Sequence, residues 1–325
     1  MRGTVSFVQQ CFPGKPEFTE KDVPDLKGKV AIVTGSNTGL GKEITQMLYS
    51  KNAKVYMMTR SEEKTKQAID AIRAAVPQSE GDLIFIHLDL ADLESVKTAA
   101  DEFNRREQKL HLLVNNAGVG FPERGSKTKQ GHELQLGVNC IGSFALTTHL
   151  TPILVSTAKV SPPNAVRIIW VSSSAAEAVE PKTFMDNLSE IEKKTPLDQY
   201  AMSKFGNYLH ATEFASRLKS DGVLSVSLNP GSLDSDFWRS QGAMMTCILQ
   251  KTVLHPPVFG AYTVIFAAFS RKITLDNSSR FVAPWGKFWK LPEDMLAAAK
   301  SESEGGTGTA RQFWDWTEAQ VKPYA

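Results

Sequence analysis

Cysteine is scarce in this chain, and its scarcity limits the kinds of site that the chain can build. Its 325 residues include three cysteines, Cys11, Cys140 and Cys247. No two of them have the CxxC spacing of a zinc site, and three scattered thiols do not make a disulfide framework. We therefore expect the cysteines to pack inside the protein, and we expect a reducing compartment, the cytoplasm.

The sequence also lacks an excess of charge and a long apolar run. Its 37 basic and 35 acidic residues nearly balance, so electrostatics does not favour nucleic acid as a partner. The most apolar stretch, Phe259–Phe269, is much shorter than the roughly 20 residues that a membrane-spanning helix needs. We predict that it is a buried helix and that the protein has no membrane span. Residues 1–28 lack the apolar core of a secretory signal.

Two common catalytic motifs are missing as well. The six histidines include no HExxH pair, so we expect no metal site. No GxSxG elbow is present, which removes the usual hydrolase on an α/β sheet.

What the chain does contain is a regular alternation of two kinds of segment. Short runs rich in β-branched residues predict strands, and segments with apolar residues three or four positions apart predict helices. The predicted strands are 29–34, 54–58, 83–88, 110–114, 166–171 and 223–228. The predicted helices are 43–48, 61–75, 93–106, 134–154 and 200–219. This alternation is typical of an α/β fold with a doubly wound parallel sheet, the Rossmann fold.

No linker or internal repeat divides the chain, so we predict a single domain over residues 1–325. Within it, residues 1–26 form a polar, proline-containing N-terminal arm, and residues 236–258 interrupt the alternation and are the predicted substrate lid. The lid would contribute Phe237, Trp238, Met244, Met245, Ile248 and Leu249. Such aromatic and flexible apolar side chains suit a bulky, largely apolar substrate. A role in packing alone is the alternative.

A glycine-rich turn follows the first predicted strand and opens the first helix. It comprises Gly35, Ser36, Asn37, Thr38, Gly39, Leu40 and Gly41. In this context Gly35 permits a tight turn, Gly39 lets the backbone approach a pyrophosphate, and Gly41 lets helix and strand pack closely. The helix N-terminus adds positive potential. The turn predicts a dinucleotide-binding site, with a purely structural turn as the alternative.

The stretch TGSNTGLGKE that contains this turn resembles the TGxxxGxG motif of the short-chain dehydrogenases/reductases, especially their retinol-dehydrogenase-like branch. Other motifs of that family match in the expected strand order. They are Asp89 with Leu90 on the adenine side, Asn116, Ala117 and Gly118 of an NNAG motif, and Pro230, Gly231, Leu233 and Ser235 of a PGxVxT-like turn. The resemblance implies that all of these residues bind the cofactor, although Leu233 and Ser235 depart from the family's usual residues.

The end of the second strand favours NADP(H) as that cofactor. An acidic residue at this place binds the ribose 2′-hydroxyl of NAD, whereas a basic one accepts the 2′-phosphate of NADP. This chain has Arg60 there, and the first acidic residue after Arg60 is Glu62. An ordinary helix-entry cation is the alternative interpretation of Arg60.

Tyr200 and Lys204 match the family's YxxxK motif and are one helical turn apart on the same face. A nearby ammonium lowers the pKa of a phenol, which suits proton transfer. The resemblance implies that both residues also contact the cofactor, that Ser173 binds the substrate carbonyl, and that Asn139 holds a water of the proton relay. The register among Ser172–Ser174 stays open.

Together these residues predict an NADPH-dependent oxidoreductase that reduces a carbonyl group, or oxidises the alcohol, of a bulky small molecule, with Tyr200 as the proton donor. An NADP-binding isomerase or cyclase and a non-catalytic NADPH sensor are the alternatives, and the complete catalytic set argues against both. The tryptophan-containing segment 281–325 resembles tails of fungal members that act in secondary metabolism. By analogy alone, helices 134–154 and 200–219 would form a homo-oligomer interface; a monomeric or membrane-associated protein, as in many retinol-dehydrogenase-like members, is the alternative, and the oligomeric state stays open.

Overall fold

Strands and helices alternate through the computed structural model, which describes residues 4–234 and 253–324. The strands are β1 Val30–Thr34, β2 Lys54–Thr59, β3 Asp82–His87, β4 Leu112–Asn115, β5 Val166–Val171, β6 Val223–Leu228, β7 Val282–Ala283 and β8 Lys287–Phe288. The helices are α1 Thr4–Cys11, α2 Gly39–Ser50, α3 Glu62–Ala75, α4 Leu93–Arg106, α5 Leu134–Leu136, α6 Ser143–Lys159, α7 Phe184–Leu188, α8 Pro196–Arg217, α9 Pro257–Phe269, α10 Glu293–Ala298 and α11 Thr309–Val321.

The strands form one sheet in the order β3-β2-β1-β4-β5-β6-β7-β8. Strands β1 to β7 pair in parallel, and β8 is antiparallel to β7. The order switches between β1 and β4, and ligands bind at such a switch point, outside the carboxyl ends of the strands. The predicted doubly wound parallel sheet is confirmed, with the short strands β7 and β8 added at one edge.

Both faces of the sheet are covered, because successive side chains of a strand point to opposite sides. In β5, Trp170 belongs to the apolar cluster with α4, α6 and α8, whereas Ile169 belongs to the cluster with α2, α3 and α9. The predicted buried helix Phe259–Phe269 lies in α9, where Ala261 and Ile265 are fully buried.

Helices α5 and α6 are joined by the π-helical turn Gly137–Gly142 into one helical run, residues 134–159. This run, and not Phe259–Phe269, is long and apolar enough to cross a membrane by length and composition. However, 67% of its most apolar window is buried inside the protein, as in the core helix of an α/β fold.

Helix α8 begins at Pro196, ahead of the predicted start at Tyr200. The cause is an N-cap: Thr195 Oγ1 accepts a hydrogen bond from the Asp198 N–H at 3.1 Å, and proline is favoured in the first turn of a helix. The cap lengthens α8 at the end that carries Tyr200.

The C-terminal helix α11 covers part of α6 and α8. Its Trp314 ring lies 4.7 Å from the Phe144 ring and 4.5 Å from the Phe214 ring, measured between centroids. An oligomer that used this part of the two helices would therefore require α11 to move.

Candidate active site

The glycine-rich turn joins β1 to α2 at the carboxyl edge of the sheet. Gly35 and Gly39 have φ angles of +64° and +50°, which side chains with a Cβ rarely adopt. A Cβ on Gly41 would overlap the Gly35 carbonyl oxygen. Ser36 is fully buried, and its Oγ has no hydrogen-bond partner among the described residues. A backbone cradle with a buried, unsatisfied hydroxyl fits the phosphates of a dinucleotide.

Hydrogen bonds attach this turn to the end of β4. Thr34 Oγ1 accepts from the backbone N–H groups of Asn116 and Ala117 at 3.0 and 2.9 Å. Asn116 Nδ2 donates to the Thr34 carbonyl at 2.8 Å, so the side chain of this predicted cofactor residue holds the turn in place. Sequence reasoning missed the bracing role of Thr34, although a polar residue that ends a buried strand is a usable signal.

Two cations lie where β2 leads into α3. Arg60 is exposed, lines the cleft and makes no salt bridge within the described part of the chain. The nearest acidic residue in sequence, Glu62, instead pairs with Lys66 at 2.7 Å. Lys64, in the first turn of α3, lines the same cleft. Sequence reasoning missed Lys64, whose signal was its place one turn after Arg60 at a helix N-terminus that favours anions.

Asp89 and Leu90 follow β3 and also line the cleft. The Asp89 carboxylate accepts a hydrogen bond from the Ala91 N–H at 3.0 Å, and Leu90 is buried. The side chain of Asp89 therefore shapes this loop.

Ser173, Tyr200 and Lys204 meet where β5 ends against α8. Ser173 hydrogen-bonds the Tyr200 hydroxyl, whereas the Ser172 hydroxyl is buried and donates to the Lys204 carbonyl at 2.7 Å. Lys204 Nζ donates to the Val171 carbonyl at 2.9 Å and lies 5.7 Å from the centre of the Tyr200 ring. Of the first two serines in the run, only Ser173 thus bonds the phenol.

Burial sets the protonation of this cluster. It raises the pKa of Tyr200 to about 12, an effect that the hydrogen bond with Ser173 partly offsets. Burial also lowers the pKa of Lys204 to about 8, partly offset by the neighbouring Cys140. At neutral pH the phenol therefore keeps its proton and the lysine keeps its charge, so Tyr200 can donate a proton.

Asn139 lies in the π-helical turn, a local distortion that is frequent at functional sites. Its Oδ1 accepts from the Val119 N–H at 2.8 Å, and its Nδ2 donates to the Val119 carbonyl at 3.0 Å and to Ser203 Oγ at 2.9 Å. A Cβ on Gly118 would lie 3.0 Å from Asn139 Oδ1 and 3.4 Å from Lys204 Nζ. Asn139 thus lies near Lys204, and its bonds hold the loop after β4 against α8.

The turn after β6 closes the other side of the site. Gly231 has a φ of +95°, and a Cβ there would lie 2.8 Å from the Trp285 ring. Its N–H donates to Asn229 Oδ1 at 3.1 Å. Pro230, Gly231 and Leu233 line the cleft. Ser235 and the predicted lid residues from Phe237 to Leu249 lie outside the described residues.

One cleft of about 1080 Å³ connects these groups, at the upper end of the roughly 300–1000 Å³ usual for ligand sites. Of the site residues that we predicted and that the structure describes, all line this cleft except Ser36 and Asn139, which are both buried. The volume and the lining leave room for a large cofactor and a second molecule.

Comparison with known proteins agrees with this arrangement. The family model "short chain dehydrogenase" matches residues 29–187. A short-chain dehydrogenase/reductase from Phomopsis amygdali is 51% identical over 320 residues, which cover 97% of this chain and 96% of the relative. The chain belongs to the short-chain dehydrogenase/reductase family. It is therefore an oxidoreductase that acts on alcohol or carbonyl groups of small molecules.

Other members of the family show the same likeness. A second fungal short-chain dehydrogenase/reductase, from Neocamarosporium betae, is 45% identical over 321 residues, which cover 97% of this chain and 92% of the relative. The NADPH-bound carbonyl reductase from chicken fatty liver superposes with a TM-score of 0.60 at 20% identity, over 82% of this chain and 99% of the reductase. At that identity the structural match shows the shared fold.

This short-chain dehydrogenase/reductase also has an apolar side to its cleft that sequence reasoning missed. Phe121 has a φ of +53° and its ring centroid lies 5.5 Å from that of Tyr200. Its N–H donates to the buried Gln135 side chain at 3.1 Å. Leu197 is exposed and lines the same cleft. No local motif marks either residue, because only the fold brings them to the site.

The N-terminal residues differ from the polar arm that we predicted. They include helix α1, whose Phe7 lines the cleft. The inward positions of α1 are separated by three or four residues, and this helical spacing was a signal that the prediction of an arm overlooked.

Proposed function

We propose that this protein is an NADPH-dependent reductase of a bulky, largely apolar carbonyl compound, with Tyr200 as the proton donor. In the reverse direction it would oxidise the corresponding alcohol. The observation that carries the proposal is the hydrogen-bonded pair Ser173 and Tyr200 beside the Lys204 ammonium, at the wall of a large cleft.

The chain's own residues account for the proton chemistry. NADPH, when bound, supplies the hydride. Ser173 and Tyr200 bind the carbonyl oxygen, and Tyr200 donates its proton to that oxygen as charge develops there. The positive charge of Lys204 stabilises the phenolate that remains. The pair is partly buried, and the lower local dielectric strengthens each of these interactions.

The preference for NADPH rests on Arg60 and Lys64. Both line the cleft at the end of β2, and Arg60 makes no competing ion pair within the described residues. A phosphate on the ribose would give these cations partners of opposite charge, which a neutral ribose hydroxyl cannot. The NADPH found in the chicken carbonyl reductase is consistent with this choice.

The substrate class follows from the other end of the cleft. Phe7, Phe121 and Leu197 present apolar surface there. Apolar walls favour a bulky apolar ligand, with few polar groups to orient it. Because the relatives are fungal, we propose a ketone of fungal secondary metabolism.

Tyr200→Phe tests the mechanism, with Tyr208→Phe as its control. Tyr208 is buried on the same helix and its hydroxyl donates to the Met295 carbonyl, away from the cleft. NADPH oxidation is followed with a panel of bulky ketones, and NADPH binding is measured separately. We expect Tyr200→Phe to bind NADPH normally and to lose at least about 100-fold in kcat, while Tyr208→Phe keeps its kcat. Unchanged turnover in Tyr200→Phe would exclude Tyr200 as the proton donor, whereas a wild type that binds NADPH but reduces none of the ketones would favour the non-redox alternatives.

A further inference from the structure

Helix α1 is attached to the turn that follows Ser173. That turn, Ser174–Ala178, carries Glu177, whose side chain is only 2% exposed. Glu177 Oε1 accepts hydrogen bonds from Ser6 Oγ and from Gln10 Nε2, both at 2.7 Å. These donors belong to α1, more than 160 positions away in the chain. A buried carboxylate that accepts two hydrogen bonds from α1 is a strong attachment, because losing them would leave its charge with fewer partners away from water.

Gln10 also attaches α1 to the loop after β6. It is 3% exposed, and its Oε1 accepts from Asn229 Nδ2 at 2.9 Å. Asn229 Oδ1 in turn accepts a hydrogen bond from the Gly231 N–H. One amide side chain therefore connects the turn after Ser173 with the turn that carries Gly231, and these two turns flank the reacting groups.

The residue after Gln10 adds two further contacts, one with Ser232 in that loop and one with His255. Cys11 Sγ lies 3.6 Å from Ser232 Oγ, and the Cys11 carbonyl lies 2.9 Å from His255 Nε2. Phe7 lies one turn before Gln10 on the inward side of α1 and lines the cleft. Val8 lies on the outward side of α1, and Phe12 directly follows the helix; they are 52% and 62% exposed and do not line the cleft.

We propose that α1 is the outer wall of the substrate end of the cleft, with Phe7 as a specificity-determining residue and Gln10 as the positioning residue that joins the two flanking turns. The inference rests on the proposed reductase function and extends it to an element outside the core of the fold. Phe7 is 47% exposed without a substrate, so a bulky apolar ligand would cover surface that a small ligand leaves in water. Discrimination by size then depends on how firmly Gln10 and Glu177 hold α1.

Exchanging the two side chains of the attachment tests the positioning role. Gln10→Glu places a second carboxylate against Glu177, where two buried like charges repel. The double variant Gln10→Glu with Glu177→Gln restores one amide and one carboxylate in the opposite order, and Glu177→Gln alone keeps an acceptor for Ser6 and Gln10. Above neutral pH, we expect amide hydrogen exchange in residues 6–11 to be about 10-fold faster or more in Gln10→Glu. The exchange rate should return towards that of the wild type in the double variant.

Steady-state kinetics with a bulky and a small ketone test the specificity role. We expect Phe7→Ala to raise the KM for the bulky ketone about 3- to 10-fold, with little change for the small ketone, in kcat or in NADPH affinity. Phe12→Ala, the matched control at an exposed phenylalanine that directly follows α1 and does not line the cleft, should change none of them. Gln10→Glu should also raise the KM for the bulky ketone, and the double variant should restore it.

Two outcomes would overturn the inference: equal KM values for the bulky ketone in Phe7→Ala and Phe12→Ala, or equal exchange in Gln10→Glu and the wild type. If the wild type oxidised NADPH in the presence of none of the ketones tested, that result would instead refute the proposed function. The exchange comparison would still decide, without any turnover, whether Gln10 and Glu177 hold α1.

Discussion

Replacing Arg60 by alanine should shift the cofactor preference away from NADPH. Arg60 is exposed and lines the cleft, and no acidic side chain among the described residues forms a salt bridge with it. An exposed ion pair is worth up to about 1 kcal/mol, a factor of about 5 in affinity. Charge-assisted hydrogen bonds are about twice as strong as neutral ones, so a good contact with a phosphate would raise this factor to roughly 30.

Lys64 should contribute a smaller share of the same preference. Its ammonium is a point charge without the fork of a guanidinium, and it sits in the first turn of α3. We therefore expect Arg60→Ala to lose about 5- to 30-fold in NADPH affinity and the double variant with Lys64→Ala to lose more. NADH affinity should stay nearly constant in both, because NADH lacks the phosphate.

The assay is a fluorescence titration of each protein with NADPH and with NADH, compared as a ratio of Kd values. Lys66→Ala is the matched control, because Lys66 lies on the same helix but pairs with Glu62 and does not line the cleft. Added salt should weaken NADPH binding to the wild type more than to the double variant, because it screens the exposed charges. An unchanged Kd ratio in Arg60→Ala and in the double variant would refute the assignment.

Three other perturbations follow from the geometry. Gly41→Ala should lower NADPH affinity by at least about 10-fold, because its Cβ would overlap the Gly35 carbonyl; equal Kd values would contradict this. Arg167→Met should lower the free energy of unfolding by about 3 kcal/mol or more in a denaturant titration, with NADPH affinity kept. The reason is that the buried guanidinium bonds the carbonyls of Asn164, Ala267 and Ser270. Lys204→Met should flatten the pH dependence of stability of the cofactor-free protein between about pH 8 and 10. In that range the unfolded chain holds the lysine proton that the folded protein, with a pKa of about 8, has lost. The free energy of unfolding of the wild type should therefore rise with pH, by about 3 kcal/mol over the full interval between the two pKa values.

Much of the fold could be predicted because its signals are local. The strands β1 to β6 are short apolar runs, and the glycine turn at Gly35 combines a backbone demand with a fixed position between strand and helix. The parallel order follows from the alternation of strands and helices, since each crossover returns the chain to the same edge. For the same reason, the predicted catalytic and cofactor residues at strand ends come together without any long-range information.

Tertiary packing alone decided the rest. Ser173 could be separated from Ser172 only when the turn after β5 directed one hydroxyl to Tyr200 and the other to the Lys204 backbone. Phe7 came to line the cleft because Gln10 holds α1 to Glu177 and Asn229, contacts between distant segments that no spacing in the chain encodes. Helix α11 likewise came to lie over α6 and α8, because its aromatic side chains complete an apolar cluster there. The amino-acid sequence by itself therefore determined the sheet and the types of residue at its carboxyl edge, since those depend on local periodicity and turn chemistry. The tertiary structure decided which side chains face one another and what encloses them, since those depend on packing across the whole chain.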